Sequence, residues 1–167
     1  MITIVEYDPR WPELFRREAD RIHAALGDRA LLVEHSGSTA VPGLAAKPVI
    51  DITLAVADSA GEAAYAPALA GAGYVLRIRE LEWHQHRMFK GPDSDVNLHV
   101  FSAGCPEIDR ILQFRDWLRG HPADRDLYAR TKRALAQEEW KSVDEYARAK
   151  TAVIEDILAR AHDPLYS

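Results

Sequence analysis

Glu34-His35-Ser36-Gly37-Ser38-Thr39-Ala40-Val41-Pro42-Gly43-Leu44-Ala45-Ala46-Lys47-Pro48-Val49-Ile50-Asp51-Ile52 joins a turn of small residues to an apolar run that carries a carboxylate. Ahead of the turn, Ala30 to His35 is strand-like. After it, Val49 to Ala57 is nearly continuous apolar sequence broken only by Asp51 and Thr53, as expected for a strand buried on both faces. The acid in that strand is the notable exception.

Upstream, Asp8-Pro9 supplies an N-cap with proline at the first helical position, and Phe15, Ala19, Ile22 and Leu26 recur at helical spacing until Gly27. Downstream, Glu62 to Ala72 reads as an alanine-rich helix ended by Gly73. Tyr74 to Arg79, His84 to Lys90 and Val96 to Phe101 are strands, and Gly91-Pro92-Asp93-Ser94-Asp95 makes the last two a hairpin, so the sheet is mixed. From Pro106 the apolar spacing predicts three helices. Ser142 with Glu145 forms a capping box for the last of them.

The expected architecture is therefore α/β (α+β): one domain over 1–167, with a mixed sheet flanked by helices over about 1–103 and a helical portion over about 104–167. At 167 residues and 47% hydrophobic content the chain can bury one substantial core. No apolar run approaches the roughly 18 residues of a membrane span, and Met1 to Trp11 does not resemble a secretory signal. The expected location is cytoplasmic. Cys105 is the sole cysteine, which excludes an intrachain disulfide and a Cys-x-x-Cys site. A net charge of −5 argues against broad nucleic-acid binding but leaves room for a local basic pocket.

Within the opening stretch, Gly37 lets another group approach the backbone closely, and the hydroxyls of Ser38 and Thr39 suit phosphate oxygens. Lys47 adds a point charge, and Asp51 is placed to hold a divalent cation. Strand alternation puts Asp51 with Thr53 on one face and Asn97 with His99 on one face, so Asp51 and His99 can converge across adjacent strands, with Glu34 or His35 joining them. That set suits Zn²⁺ or Mn²⁺ better than Mg²⁺. His84 and His86 share metal-pair spacing on what reads as an exposed hairpin edge. Arg87, on the opposite face, is placed to anchor a phosphate or to form a structural ion pair. Tyr128 with Lys132 and Tyr146 with Lys150 are i, i+4 pairs, each setting a ring and an ammonium on one helix face; Lys150 is the preferred ligand-binding member. Phe114-Arg115-Asp116-Trp117 supplies core aromatics and an intrahelical charge contact.

The string His35 to Ile52 resembles the signature of the GrpB family of the nucleotidyltransferase superfamily. Tyr7-Asp8-Pro9-Arg10-Trp11, Arg87-Met88-Phe89, Asn97-Leu98-His99-Val100, Phe114-Arg115-Asp116-Trp117-Leu118, Tyr128, Lys132 and Tyr146 to Lys150 extend the likeness over essentially the whole chain. The resemblance implies a nucleotidyltransferase-like fold in which Gly37-Ser38 and Asp51 bind nucleotide and metal. The second carboxylate position of that pattern is Thr53 here, and the neighbouring strand offers Asn97 and His99 in place of a third acid. Two-metal transfer needs more anionic ligands than that.

Three functions follow as expectations. The first is metal-dependent nucleotidyl or phosphoryl transfer, with Asp51 and His99 catalytic, Gly37, Ser38, Thr39, Lys47, Arg87 and Lys150 on the substrate, and Asp51, His99 and Glu34 around Mg, Mn or Zn. The second is a degenerate module that binds a nucleotide or phosphorylated metabolite, linked to coenzyme A because some GrpB domains resemble an extension of dephospho-CoA kinase. The chain has no Gly-x-x-x-x-Gly-Lys-Ser/Thr loop of its own. The third is an interaction domain that docks a partner through helical Tyr and Trp residues.

Overall fold

The apolar run around Asp51 becomes the second of five strands, and its alternation sorts the molecule into two layers. A computed structural model describes residues 3–93, 95–137 and 143–162. Its strands are Leu32–Ser36 (β1), Ile50–Val56 (β2), Val75–Glu80 (β3), His86–Lys90 (β4) and Val96–Ser102 (β5). Its α-helices are Trp11–Leu26 (α1), Ala66–Gly71 (α2), Pro106–Gly120 (α3), Pro122–Gln137 (α4) and Val143–Ala161 (α5). The strands form one sheet in the order β1-β2-β5-β4-β3. β2 and β5 run parallel and the other neighbours antiparallel, so the sheet is mixed as expected.

Ile50, Ile52, Leu54 and Val56 turn to one face and join Val96, Leu98 and Val100 in a core sealed by Trp11, Ile22 and Leu26 of the α1 layer and Leu69 of α2. The other face of β2 carries Asp51, Thr53 and Ala55; Ala55 packs with Phe101 and Ile108 under α3. A third cluster of Val41, Leu44, Leu118, Tyr128 and Ile157 ties the three C-terminal helices to the loop after Gly37. The side chains of β2 and β5 reach the layers their parity dictates. Burial of both faces explains why β2 reads as a continuous apolar run.

Several boundaries differ from the sequence reading. The first helix starts at Trp11 with Pro12 in its first turn, because the Asp8 carboxylate accepts the Arg10 N–H at 2.9 Å and closes a turn ahead of the helix. The expected helix over 62–72 splits into a 3₁₀ turn at Glu62–Ala64 and α2. Pro67 lacks the N–H that would continue the ladder, so the helix restarts there. β4 begins at His86, since His84 and Gln85 adopt left-handed backbone conformations (φ 55° and 49°) in the preceding turn. Ser142 of the expected capping box lies outside the described residues. Among the described residues no helix is long and apolar enough to cross a membrane.

Candidate functional site

The turn after β1 sets the geometry. Ser36 pairs with Asp51 in the antiparallel register, and the next residue, Gly37, has φ 70° and ψ −174°, a conformation essentially reserved for glycine. A Cβ there would lie 2.5 Å from Asp51 Oδ2, so glycine is required both by its backbone and by the carboxylate packed against it. The 3₁₀ turn Ser38–Ala40 follows. Thr39 Oγ1 donates to Val49 O at 3.0 Å and stands 3.0 Å from His35 Nε2, which pins the turn to the loop before β2. His35 is thereby buried, and burial, helped by Arg119, lowers its pKa to about 4. Thr53, at the second carboxylate position, donates to Ser36 Oγ at 2.9 Å and is fully buried.

Parallel pairing places Asp51 opposite Asn97 and Thr53 opposite His99. The expected convergence is present: His99 Nε2 is 3.1 Å from Asp51 Oδ1. The contact continues across the sheet, with His99 Nδ1 3.0 Å from His86 Nε2 and His86 Nδ1 2.7 Å from Glu80 Oε1. His86 is 5% exposed and stacked on His99, not an exposed hairpin edge. Burial and then the neighbouring His99 lower its pKa, against the pull of Glu80.

The helical portion delivers the cations. Lys132 of α4 donates to Ser38 Oγ at 2.7 Å, and its ammonium sits 4.7 Å from the Tyr128 ring centroid. Burial and then Lys150 lower its pKa to about 7, against the pull of Asp51. Lys150 of α5 sits 5.6 Å from the Tyr146 ring centroid, and burial lowers its pKa as well. Together with Lys47 they line a cavity of about 200 Å³ that also touches Ser38, Thr39, Asp51 and Asn97. Three lysines around one carboxylate make a positive pocket in a chain of net charge −5. Both Tyr-Lys pairs thus point inward, and Tyr128 and Tyr146 are buried, so neither ring is presented to a partner.

A larger space of about 540 Å³ adjoins this one and shares Ser38, Asp51 and Lys150 with it. Its lining includes the apolar Trp83, Phe101, Ile111, Phe114, Leu118 and Ile154 and the polar His86, His99, Arg110 and Arg115. Asp51 stands at the junction of the two lobes.

Gly37, Ser38, Thr39, Lys47, Asp51, His99 and Lys150 are brought together as expected from sequence; Arg87 and Glu34 are not. Arg87 is 4% exposed and donates to Glu62 Oε2 at 2.6 Å and Gln85 O at 2.8 Å, which is the structural ion pair. Glu34 accepts from Arg115 Nη1 at 2.9 Å. Arg115 also donates to His35 O at 3.0 Å, so it clamps α3 to β1 as well as meeting Asp116. The sequence reading left out Lys132 and His86. The Tyr128–Lys132 echo of Tyr146–Lys150 was the signal for the lysine, and the i, i+2 spacing with His84, on what read as an exposed hairpin edge, was the signal for the histidine.

Among the described residues no group of three or more His, Cys, Asp or Glu side chains is arranged to hold a metal ion. Asp51 and His99 offer two ligands, and the ring nitrogen facing Asp51 already lies at hydrogen-bond distance from it. Catalytic transition-metal sites use about three protein ligands. Asp51 and His99 alone fall short of such a transition-metal site.

The model of one protein family, described as GrpB protein, matches residues 1–160. A UPF0157 protein of Halalkalibacterium halodurans is 62% identical over 161 residues, covering 96% of this chain and 83% of that protein. The crystal structure of conserved protein GrpB from Enterococcus faecalis superposes with a TM-score of 0.81 at 32% identity, covering 96% of this chain and all of that one. A dephospho-CoA kinase of Mycolicibacterium paratuberculosis is 31% identical over 189 residues, which is 97% of this chain and 46% of the kinase.

Proposed function

We propose, proceeding from the fact that this chain belongs to the GrpB family, that it binds a nucleotide or other phosphorylated small molecule with the phosphates among Lys47, Lys132 and Lys150. The observation that carries this reading is the convergence of those lysines, from one loop and two helices, on a single polar cavity beside Asp51. Gathering ammonium groups costs mutual repulsion and desolvation, which the lowered pKa values of Lys132 and Lys150 express. A polyanion relieves both costs, so the pocket is organised for one. The dephospho-CoA kinase relatives support a nucleotide-type ligand, although the matching region is less than half of that kinase.

A second reading is nucleotidyl or phosphoryl transfer within a nucleotidyltransferase-like fold. It is favoured by the Asp51–His99 contact, in which the imidazole orients a carboxylate that lines the cavity and can take a proton from an acceptor. Thr53 weighs against a two-metal version, because its hydroxyl is engaged by Ser36 where that mechanism needs an acid. Binding without obligatory turnover is the reading the site supports best.

The test is calorimetry and thermal shift on metal-stripped protein with ATP, GTP, CTP, UTP and coenzyme A precursors, with and without Mg²⁺, Mn²⁺ or Zn²⁺. A ligand present at 100 times its Kd adds about 2.7 kcal/mol of apparent stability. Stabilisation that Lys150→Ala abolishes supports the proposal, and no stabilisation by any of these compounds refutes it.

A further inference from the structure

The larger lobe has a composition that phosphate binding does not explain. Trp83, Phe114, Ile111 and Ile154 line it, backed by the buried Phe101, Leu118 and Tyr128. Phe114 meets the buried Tyr128 edge to face at 5.2 Å, and Trp83 meets the buried Phe101 at 5.9 Å, so the open ring surface belongs to Phe114 and Trp83. The space, about 540 Å³, has the size of a small-molecule site and not of a protein groove. It borders the lysine lobe at Ser38, Asp51 and Lys150, which line both.

We infer that the ligand is amphiphilic: a phosphoryl group held in the lysine lobe and joined past Asp51 to an aromatic body that fills the larger lobe. This rests on the phosphate-binding reading and deepens it to a substrate class. Lys47 and Lys132 line only the smaller lobe, whereas Trp83, Ile111, Phe114 and Ile154 line only the larger one, which sets where the phosphoryl group and the aromatic body lie. An aryl or heteroaryl phosphate gains hydrophobic burial against Trp83, Ile111, Phe114 and Ile154 that a phosphorylated polyol cannot. The site therefore selects for the aromatic group as well as for the phosphate.

Ala147 supplies the test, because it lines the larger lobe from α5 yet is itself exposed, so Ala147→Trp fills the lobe without disturbing a buried position. Affinities of inorganic phosphate, glycerol 3-phosphate and 1-naphthyl phosphate are measured by calorimetry for the native protein, Ala147→Trp and Lys150→Ala. The naphthyl ester is expected to bind at least about tenfold tighter than inorganic phosphate, a difference of about 1.4 kcal/mol. Glycerol 3-phosphate gains nothing over inorganic phosphate. Ala147→Trp removes the naphthyl advantage while leaving inorganic phosphate unchanged, and Lys150→Ala weakens all three. Equal affinities of phosphate and naphthyl phosphate, or an Ala147→Trp effect shared by both, overturns the inference while leaving the phosphate reading in place. Absence of binding by inorganic phosphate and both esters overturns the reading itself. An unchanged thermal midpoint and circular dichroism spectrum confirm that Ala147→Trp folds.

Discussion

Lys132 donates a 2.7 Å hydrogen bond to Ser38, 94 residues earlier in the chain. That bond joins the C-terminal helices to the turn that positions Asp51, so the cationic wall and the carboxylate belong to one site. Burial and then the neighbouring Lys150 bring the Lys132 pKa to about 7 in the free protein.

A phosphate bound beside Lys132 raises that pKa again, so binding takes up a proton whenever the free lysine is neutral. Affinity is expected to fall as pH rises from 7 to 9, and calorimetry in buffers of different ionisation enthalpy will register the uptake. Ligand-free stability runs the other way. The unfolded lysine titrates near 10.5, so between about 7 and 10.5 the unfolded chain binds more protons and this group's contribution to stability rises with pH.

Gly37→Ala forces a Cβ to within 2.5 Å of Asp51 Oδ2 at a backbone conformation that only glycine adopts readily. The expected cost is about 1–3 kcal/mol in urea denaturation, with displacement of Asp51. A fully stable variant contradicts the packing described.

Asp51→Asn separates the two functional readings. If the lysines alone hold the anion, losing the carboxylate removes a repulsive charge, and phosphate affinity is retained or rises by up to about tenfold, on the order of 1 kcal/mol for a nearby like charge. A fall in affinity seen only with divalent cation present points to a metal-bridged site, and loss of turnover with retained binding points to catalysis.

The contacts Asp51–His99–His86–Glu80 fix tautomers. If Asp51 accepts from His99 Nε2–H, then His99 Nδ1 is the acceptor for His86 Nε2–H. Nitrogen NMR is expected to show His99 protonated at Nε2, and His86 must carry a second proton at Nδ1 for the 2.7 Å contact with Glu80 to be a hydrogen bond as well. His86→Phe keeps the ring packing but removes the donor, and it should shift the His99 tautomer ratio; an unchanged His99 spectrum means the two rings are not coupled.

Arg87→Met is expected to destabilise the fold by about 1–3 kcal/mol, because it leaves Glu62 without a 2.6 Å partner, while phosphate affinity stays unchanged. The same region shapes acid lability. Arg79 and Arg87 lower the Glu62 pKa to about 2, so its contribution is complete above about 4.5 and is lost as pH falls through 2. His35, lowered to about 4, makes the folded state bind fewer protons than the unfolded state between 6.5 and 4. Stability measured by thermal unfolding therefore declines from pH 6.5 downward.

Much was legible in the chain itself. Apolar alternation and turn residues gave the mixed sheet, the parity of Asp51 and His99, and three closing helices, since these depend on neighbours two to four positions apart. The Gly37-Ser38 turn and its lysines were recognisable by residue type. The partner of each charged group was not, because hydrogen bonds such as Lys132 to Ser38 and Arg87 to Glu62 span 94 and 25 residues and are chosen by packing. Sequence determined which residues are able to bind an anion. Tertiary structure decided which of them do so together: burial on one face of β2 gathered Lys132, Lys150 and Asp51 into a shared cavity, while the opposite face committed Arg87 to Glu62.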